Sequence, residues 1–314
     1  MQITDNIQRL EDILEDAVNL AKLNISGRIA DYIPQLLNVN KELTSACIQL
    51  VDGPAILKGD INAVFSLQSV SKLVLLIGML EEYGFEKVFS WINAEPSGQS
   101  FAAIGHLDRY GPVPSNPLIN AGAIALSSRI PGSVVRQLEW VDNWTTRLFG
   151  KKLRFCEDIY TSELASADRN RSLAYLMRST GVMHGEVEEV LKPYFALCSY
   201  ECDIKTAAYL PELLANGGKN PQGQQIISQD TANQVVSIMG TCGLYNESGM
   251  HLVRTGLPAK SGVSGLVIAV APGRAGIAVY SPKLNNKGTS FRGAIILNEI
   301  SSQLNWHFAA PRDK

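Results

Sequence analysis

The stretch Val64–Ile77 reads VFSLQSVSKLVLLI and changes its pattern halfway along. Its first four residues are mostly apolar and β-prone, which is typical of a short buried strand. From Leu73 onward the residues are continuously apolar, and we predict a helix over Lys72–Tyr83. Ser69 therefore stands where a strand passes into a helix, and Lys72 follows three residues later on the same helical face. The pattern predicts a serine hydroxyl beside a lysine amine.

Two interpretations of this S-x-x-K pair are open on these residues. A chain of this composition contains about one such match by chance, so the spacing alone has little weight. In the first interpretation, the helix start and a buried amine pushed towards its neutral form activate Ser69 as a nucleophile. In the second, Ser69 caps the helix and Lys72 extends into solvent. The two interpretations differ in whether the lysine is buried.

A second motif, Lys260-Ser261-Gly262, precedes the β-rich run Leu266–Val270. A phosphate-binding loop is excluded because its glycines are missing and because a helix should follow it. A K-[ST]-G sequence at the start of a strand is instead the second half of a serine acyltransferase signature that begins with S-x-x-K. The third element of that signature, S-x-N or Y-x-N, is absent from the sequence. This absence separates the chain from penicillin-binding enzymes.

A third candidate pairs Glu163 with Asn170 in a predicted helix over Thr161–Ser179. Seven residues make nearly two turns, so the carboxylate and the amide should project from one helix face. Together they could bind the ammonium and the carboxylate of a small zwitterion. The alternative is an ordinary solvated polar face.

Composition narrows the class of protein. The chain has 314 residues, 46% of them apolar and 18% charged, with a net charge of −2. These values are typical of a folded globular protein and argue against disorder and against a nucleic-acid partner. The longest uninterrupted apolar run, Leu73–Leu80, is far shorter than the roughly 18 residues that a membrane span needs, so we expect no membrane span. The acidic first helix has no export signal, and we expect a cytoplasmic protein.

Cysteine and histidine spacing argues against disulfides and metals. The five cysteines form no CxxC pair, and we interpret them as reduced, mostly buried thiols. The four histidines are scattered along the chain, so we expect no metal site.

Strand patterns occur near both ends of the chain, at Ser45–Val51, Ala55–Leu57, Val263–Ala271 and Ala275–Tyr280. Between and after them the pattern is mostly helical. We predict helices over Lys72–Tyr83, Leu118–Arg129, Ser133–Phe149, Thr161–Ser179, Val187–Cys198, Thr206–Ala215, Asp230–Met239 and Phe291–Leu304. We therefore expect an α/β (α+β) fold forming one domain, 1–314, with a sheet lobe of about 1–70 with 255–314 and a helical lobe of about 71–254. The active site should lie between the lobes.

Seven ordered segments resemble the serine-dependent glutaminase family over nearly the whole chain. They are DYIPQL (31–36), FSLQSVSK (65–72), EPSG (95–98), NPLINAGAI (116–124), the segment from Glu163 to Asn170, GTCGLY (240–245) and GLPAKSGV (256–263). The resemblance implies a fold like that of serine β-lactamases and penicillin-binding proteins, with a mixed or antiparallel sheet flanked by helices plus a helical lobe. It implies hydrolysis of L-glutamine to L-glutamate and ammonia without a cofactor, in a homodimer or homotetramer.

The resemblance also implies roles for individual residues. The residue matching Ser69 is the nucleophile and the one matching Lys72 its general base. Beyond the resemblance, our mechanistic hypothesis is that Tyr245, with Lys72, protonates the leaving ammonia, and that the backbone N–H groups of Ser69 and Val263 form the oxyanion hole. The residues expected to bind or lie near the substrate are Tyr32, Gln68, Asn120, Glu163, Asn170, Tyr194, Tyr245 and Val263.

Three segments depart from the family's common pattern. Phe101-Ala102-Ala103 stands where Phe-Asn-Ser is usual, Ser264-Gly265-Leu266 where Gly-Gly-Gly is common, and Gly288-Thr289-Ser290 where Gly-Asn-Ser is common. None replaces a proposed catalytic group. Two alternatives remain at this stage, another S-x-x-K acyl hydrolase of the β-lactamase or peptidase kind, and a non-catalytic glutamine-binding protein.

Overall fold

A computed structural model describes residues 2–97 and 111–311 of the chain. Five strands form an antiparallel sheet in the order β2-β1-β8-β7-β6. Three more form a small antiparallel sheet in the order β3-β5-β4. The strand bounds are β1 Ser45–Leu50, β2 Ala55–Gly59, β3 Phe65–Ser66, β4 Arg154–Phe155, β5 Tyr200–Cys202, β6 Ala259–Ser261, β7 Leu266–Ala271 and β8 Ala275–Tyr280.

Helices connect and cover these sheets. Within the described ranges they are α1 Gln2–Lys22, α2 Pro34–Leu37, α3 Lys72–Tyr83, α4 Phe85–Val88, α5 Asn120–Ser127, α6 Val134–Phe149, α7 Glu157–Ala165, α8 Asp168–Ser179, α9 Val187–Cys198, α10 Ile204–Ala207, α11 Tyr209–Ala215, α12 Gln229–Cys242, α13 Ser248–Thr255 and α14 Phe291–Leu304. No helix among the described residues is long and apolar enough to cross a membrane.

The large sheet is covered by helices on both faces, so its central strands β7 and β8 are buried along their whole length. Val267 and Ala269 pack on one face with α1 and α14. Ile268 and Val270, which alternate with them, pack on the other face towards α11. Gly276 in β8 allows α11 to lie close to this second face of the sheet. A Cβ at that position would lie 2.0 Å from the backbone nitrogen of Glu212 in α11. The expected α+β architecture, a sheet flanked by helices, is confirmed.

The small sheet positions the strand-to-helix junction that carries Ser69. β3 pairs with β5, and the next residue, Leu67, donates its N–H to Tyr200 O at 2.8 Å. A 3₁₀ turn over Gln68–Ser71 follows and runs directly into α3. Gln68 has a φ of +46°, an uncommon conformation for a residue with a side chain that often marks a functional position.

Several predicted bounds match the structure, including Lys72–Tyr83, Val187–Cys198, Ala275–Tyr280 and Phe291–Leu304. The predicted helix over Thr161–Ser179 is wrong, because the structure has two helices, α7 and α8, separated at Ser166 and Ala167. The predicted strand Val263–Ala271 begins only at Leu266. Two sequence features lie outside the described residues. They are the departure from the family pattern at Phe101-Ala102-Ala103, and Gly98 of the EPSG segment.

Candidate active site

A cavity of about 460 Å³ lies at the junction between β3 and α3, where Ser69 forms part of its lining. Its walls come from segments distant in sequence, which only the folded chain brings together. The lining residues are Ala30, Asp31, Tyr32, Gln68, Ser69, Asn120, Glu163, Ser166, Arg169, Asn170, Tyr194, Cys198 and Val263. Eight of the predicted site residues are among them. The other two, Lys72 and Tyr245, are buried and contact Ser69 from outside this lining.

Ser69 and Lys72 form the centre of the site. Lys72 Nζ lies 2.7 Å from Ser69 Oγ, and only 1% of the lysine is exposed. The following helix is apolar and buried through Leu80, so the amine lies in apolar surroundings on that side. Burial lowers the pKa of Lys72 from 10.5 to about 8. The surface-lysine interpretation is wrong, and the pair has the geometry of a nucleophile and its base.

Asn120 links Lys72 to Asn170 through its side-chain amide. It is the first residue of α5, and its Oδ1 accepts a hydrogen bond from Lys72 Nζ at 2.9 Å. Its Nδ2 donates to Asn170 Oδ1, also at 2.9 Å. Because Lys72 occupies the oxygen, the orientation of the amide is set, and its N–H groups face Asn170.

Glu163 is a buried carboxylate with 5% exposure. Tyr32 OH donates to its Oε1 at 2.8 Å and lies 3.0 Å from Gln68 Oε1. Burial raises the pKa of Glu163, while the hydrogen bond from Tyr32 opposes that shift. No lysine or arginine is ion-paired with it among the described residues. A buried carboxylate facing a cavity is suited to a cationic ligand group.

Glu163 and Asn170 do not share one helix face as the spacing predicted. Glu163 lies on α7 and Asn170 on α8. The break between the helices changes the direction of the Asn170 side chain. Glu163 and Asn170 nevertheless both line the cavity. The solvated-face alternative is also wrong for Glu163, because that side chain is buried.

Tyr245 approaches Ser69 from the side of the large sheet. It begins a short 3₁₀ turn, Tyr245–Glu247, with a φ of +56°. Burial raises the pKa of Tyr245 to about 12, against a smaller lowering by its hydrogen bond with Ser69. The phenol therefore keeps its proton at neutral pH and can act as an acid.

The turn after β6 brings Val263 to the cavity. Gly262 makes the approach possible, because a Cβ there would lie 2.8 Å from Leu67 O in the segment that leads to Ser69. Tyr194 also lines the cavity, and Lys72 Nζ is 5.7 Å from the centre of its ring. Both side chains line the cavity as expected.

Sequence reasoning missed several residues of this site. Cys198 lies one turn after Tyr194 on α9, so helical periodicity could have found it. Burial raises the pKa of its thiol to about 12, so the thiol keeps its proton at neutral pH. Asp31, Ser166 and Arg169 also line the cavity. They lie within the resembling segments 31–36 and 163–170, but neither residue type nor spacing singles them out there.

Comparisons with known proteins agree with this geometry. A family model described as Glutaminase matches residues 27–308. A glutaminase from Legionella pneumophila is 50% identical over 302 residues, covering 95% of this chain and 97% of that protein. The solved structure of the probable glutaminase ybaS has a TM-score of 0.93 at 34% identity, covering 96% of this chain and 99% of the other. Mglu in its glutamate form has a TM-score of 0.91 at 32% identity, over 96% of this chain and 70% of that one.

These likenesses extend over the whole fold and not only over the site. The fold is the one that the motifs implied, like that of serine β-lactamases and penicillin-binding proteins. The chain belongs to the glutaminase family.

Proposed function

We propose that this protein hydrolyses the side-chain amide of L-glutamine to L-glutamate and ammonia through an acyl-enzyme on Ser69. The observation that carries the proposal is the 2.7 Å contact between Lys72 Nζ and Ser69 Oγ. This contact lies at a cavity that also contains the buried Glu163 carboxylate. Reactive and recognition groups are thus held in one cavity of a size suited to a small ligand. A related structure that holds glutamate in the same fold supports the ligand class.

In the first step, Ser69 Oγ attacks the amide carbon of glutamine while neutral Lys72 takes the hydroxyl proton. The resulting oxyanion is stabilised by the backbone N–H groups of Ser69 and Val263. Among the turn and loop hydrogen bonds of the described residues, neither N–H is used as a donor. The two groups are therefore available to the transition state.

In the second step, the carbon–nitrogen bond breaks and ammonia leaves. Tyr245, hydrogen-bonded to Ser69, donates a proton to the leaving nitrogen and regains one from the Lys72 ammonium. A water molecule then attacks the γ-glutamyl ester, with Lys72 again accepting the proton. Ser69 leaves as the protonated hydroxyl, and glutamate is released.

Recognition of the α-ammonium and α-carboxylate depends on the polar end of the cavity. Glu163 binds the ammonium, and Asn120 contributes through the second lone pair of its Oδ1. Asn170 and Tyr194 orient the polar backbone end. An analogue without these groups would leave buried polar partners unpaired, which costs binding energy. The site should therefore discriminate between glutamine and simple amides.

The test is ammonia release from glutamine by the purified protein, with asparagine as the comparison substrate. Ser69→Ala should lower kcat by at least about a thousandfold. Ser128→Ala is the matched control, since its hydroxyl bonds Ala125 O at the end of α5, away from the cavity lining. A Ser69→Ala protein that releases ammonia at the wild-type rate would contradict the mechanism.

We also infer a cytoplasmic homodimer or homotetramer, supported by the resemblance to serine-dependent glutaminases. Light scattering on the full chain tests the assembly, and a monomer at micromolar concentration would contradict it. Fractionation of cells that express the chain tests the location.

A further inference from the structure

The charged side chains of the cavity are unevenly distributed. Two of the lining residues, Asp31 and Glu163, are acidic, and Arg169 is basic. Lys72 lies behind the lining, where its amine is hydrogen-bonded to neighbouring side chains. In the mechanism above, that amine acts in its neutral form. Among the described residues that line the cavity, Arg169 is therefore the one with a positive charge.

The α-carboxylate of glutamine needs a partner of this kind. It is attached to the same carbon as the ammonium, so binding of the ammonium by Glu163 also brings the substrate carboxylate near a carboxylate of the protein. Like charges at such a distance repel each other. Asn170 and Tyr194, which orient this end of the substrate, are uncharged, because burial holds the pKa of the Tyr194 phenol well above its ordinary value. A cation close to Asn170 would offset the repulsion.

Arg169 stands directly before Asn170 in the first turn of α8. Asn170 Oδ1 accepts a hydrogen bond from Asn120 Nδ2 at 2.9 Å, so the N–H groups of the Asn170 amide are the ones that can reach a carboxylate. Arg171, the next basic residue of α8, has its Nε 2.8 Å from Glu188 Oε1 and does not line the cavity. A guanidinium offers a planar set of N–H donors that matches the two oxygens of a carboxylate.

We propose that Arg169 is a specificity-determining residue, whose guanidinium binds the α-carboxylate of the substrate beside Asn170. The inference rests on the proposed function and deepens it, because it names the charge that selects amides with a free α-carboxylate. Arg169 is exposed, so its attraction for the carboxylate is screened by salt. Asn170 and Tyr194 supply hydrogen bonds, whereas Arg169 supplies the charge.

The test compares L-glutamine with its α-amide, L-glutaminamide, as substrates of the wild type and of Arg169→Gln. The two compounds share the side-chain amide and the α-amino group and differ in the α-carboxylate. Arg169→Gln should raise KM for glutamine at least about fivefold at low salt, with kcat changed less than about twofold. Its kcat/KM for glutaminamide should stay within about twofold of the wild-type value.

Two further measurements separate a charge effect from a structural one. Arg169→Lys keeps the positive charge and should keep KM for glutamine within about threefold of the wild type. Raising NaCl to about 1 M should reduce the difference in KM between the wild type and Arg169→Gln by at least about half. Arg178→Gln is the matched control, since Arg178 is an exposed arginine of the same helix, is paired with Glu186 and is not part of the cavity lining. It should leave the kinetics of both substrates unchanged.

Four results overturn the inference. They are an unchanged KM for glutamine in Arg169→Gln, an equal loss on glutamine and glutaminamide, a difference in KM that salt does not reduce, and an equal effect of Arg178→Gln. If glutaminamide is hydrolysed too slowly, its inhibition constant against glutamine supplies the same comparison. Melting temperatures establish that each variant is folded. Failure of the proposed function is distinct, because Ser69→Ala would then match the wild type.

Discussion

The rate of glutamine hydrolysis should depend on pH through Lys72. Burial lowers the pKa of this amine to about 8, and only its neutral form can accept the Ser69 proton. Activity is therefore lost as pH falls through 8 and reaches a plateau above it. The neutral fraction is about one tenth at pH 7 and about one hundredth at pH 6. Below pH 8, kcat/KM should thus fall about tenfold per pH unit.

The contribution of burial to the neutral fraction of Lys72 follows from the same pKa values. An amine with the ordinary pKa of 10.5 would be neutral in only about 3 molecules in 10,000 at pH 7. Lowering the pKa to about 8 raises that fraction roughly 300-fold, equivalent to about 3 kcal/mol. The apolar, fully buried first turns of α3 supply this effect.

The assay is kcat/KM between pH 6 and 8.5, with glutamate measured by chromatography after acid quench so that no coupling enzyme adds its own pH dependence. Lys72→Arg keeps a positive charge throughout this range and should lose activity at least about a hundredfold. A flat wild-type profile would refute the reasoning, as would an active Lys72→Arg protein with an unchanged profile.

Three further predictions follow from the geometry. Glu163→Gln removes the carboxylate that faces the substrate ammonium, and should raise KM for glutamine at least about 30-fold, measured by steady-state kinetics. Asn120→Asp places a carboxylate 2.9 Å from Lys72 Nζ. It should raise the pKa of Lys72 and move the pH profile of kcat/KM to higher pH by about one unit or more. Gly276→Ala forces a Cβ against the backbone of α11, and urea unfolding should show a loss of about 1–3 kcal/mol.

Two of these predictions have a matched control in the same chain. Glu188→Gln removes an exposed carboxylate paired with Arg171 and should leave KM unchanged. Gly249→Ala adds a Cβ where no atom lies within 4 Å, and should leave stability unchanged or slightly higher. Equal effects of Glu163→Gln and Glu188→Gln on KM would contradict the ammonium role. A Gly276→Ala protein as stable as the Gly249→Ala protein would contradict the close contact between Gly276 and α11. An unchanged pH profile of kcat/KM in Asn120→Asp would contradict the electrostatic coupling between residue 120 and Lys72.

Much of the fold was predictable because its signals are local. The helices over Lys72–Tyr83 and Val187–Cys198 are defined by apolar residues over a run of the right length. β8 is a continuous run of small and β-branched residues between turn signals. The helix expected over Thr161–Ser179 failed, because nothing in Ser166 or Ala167 indicates a break. At the break Ala167 is buried, and Glu163 before it is buried at the cavity.

The sequence by itself placed Ser69 and Lys72 on the same helical face, because residues three apart at a helix start are neighbours. It did not determine whether that lysine is buried beside the serine or extends into solvent. Only the tertiary structure decided this, by burying the amine and lowering its pKa. The structure likewise brought Tyr32, Glu163 and Tyr245 to one serine from three distant parts of the chain. Contacts of that kind depend on long-range packing, and no local period encodes them.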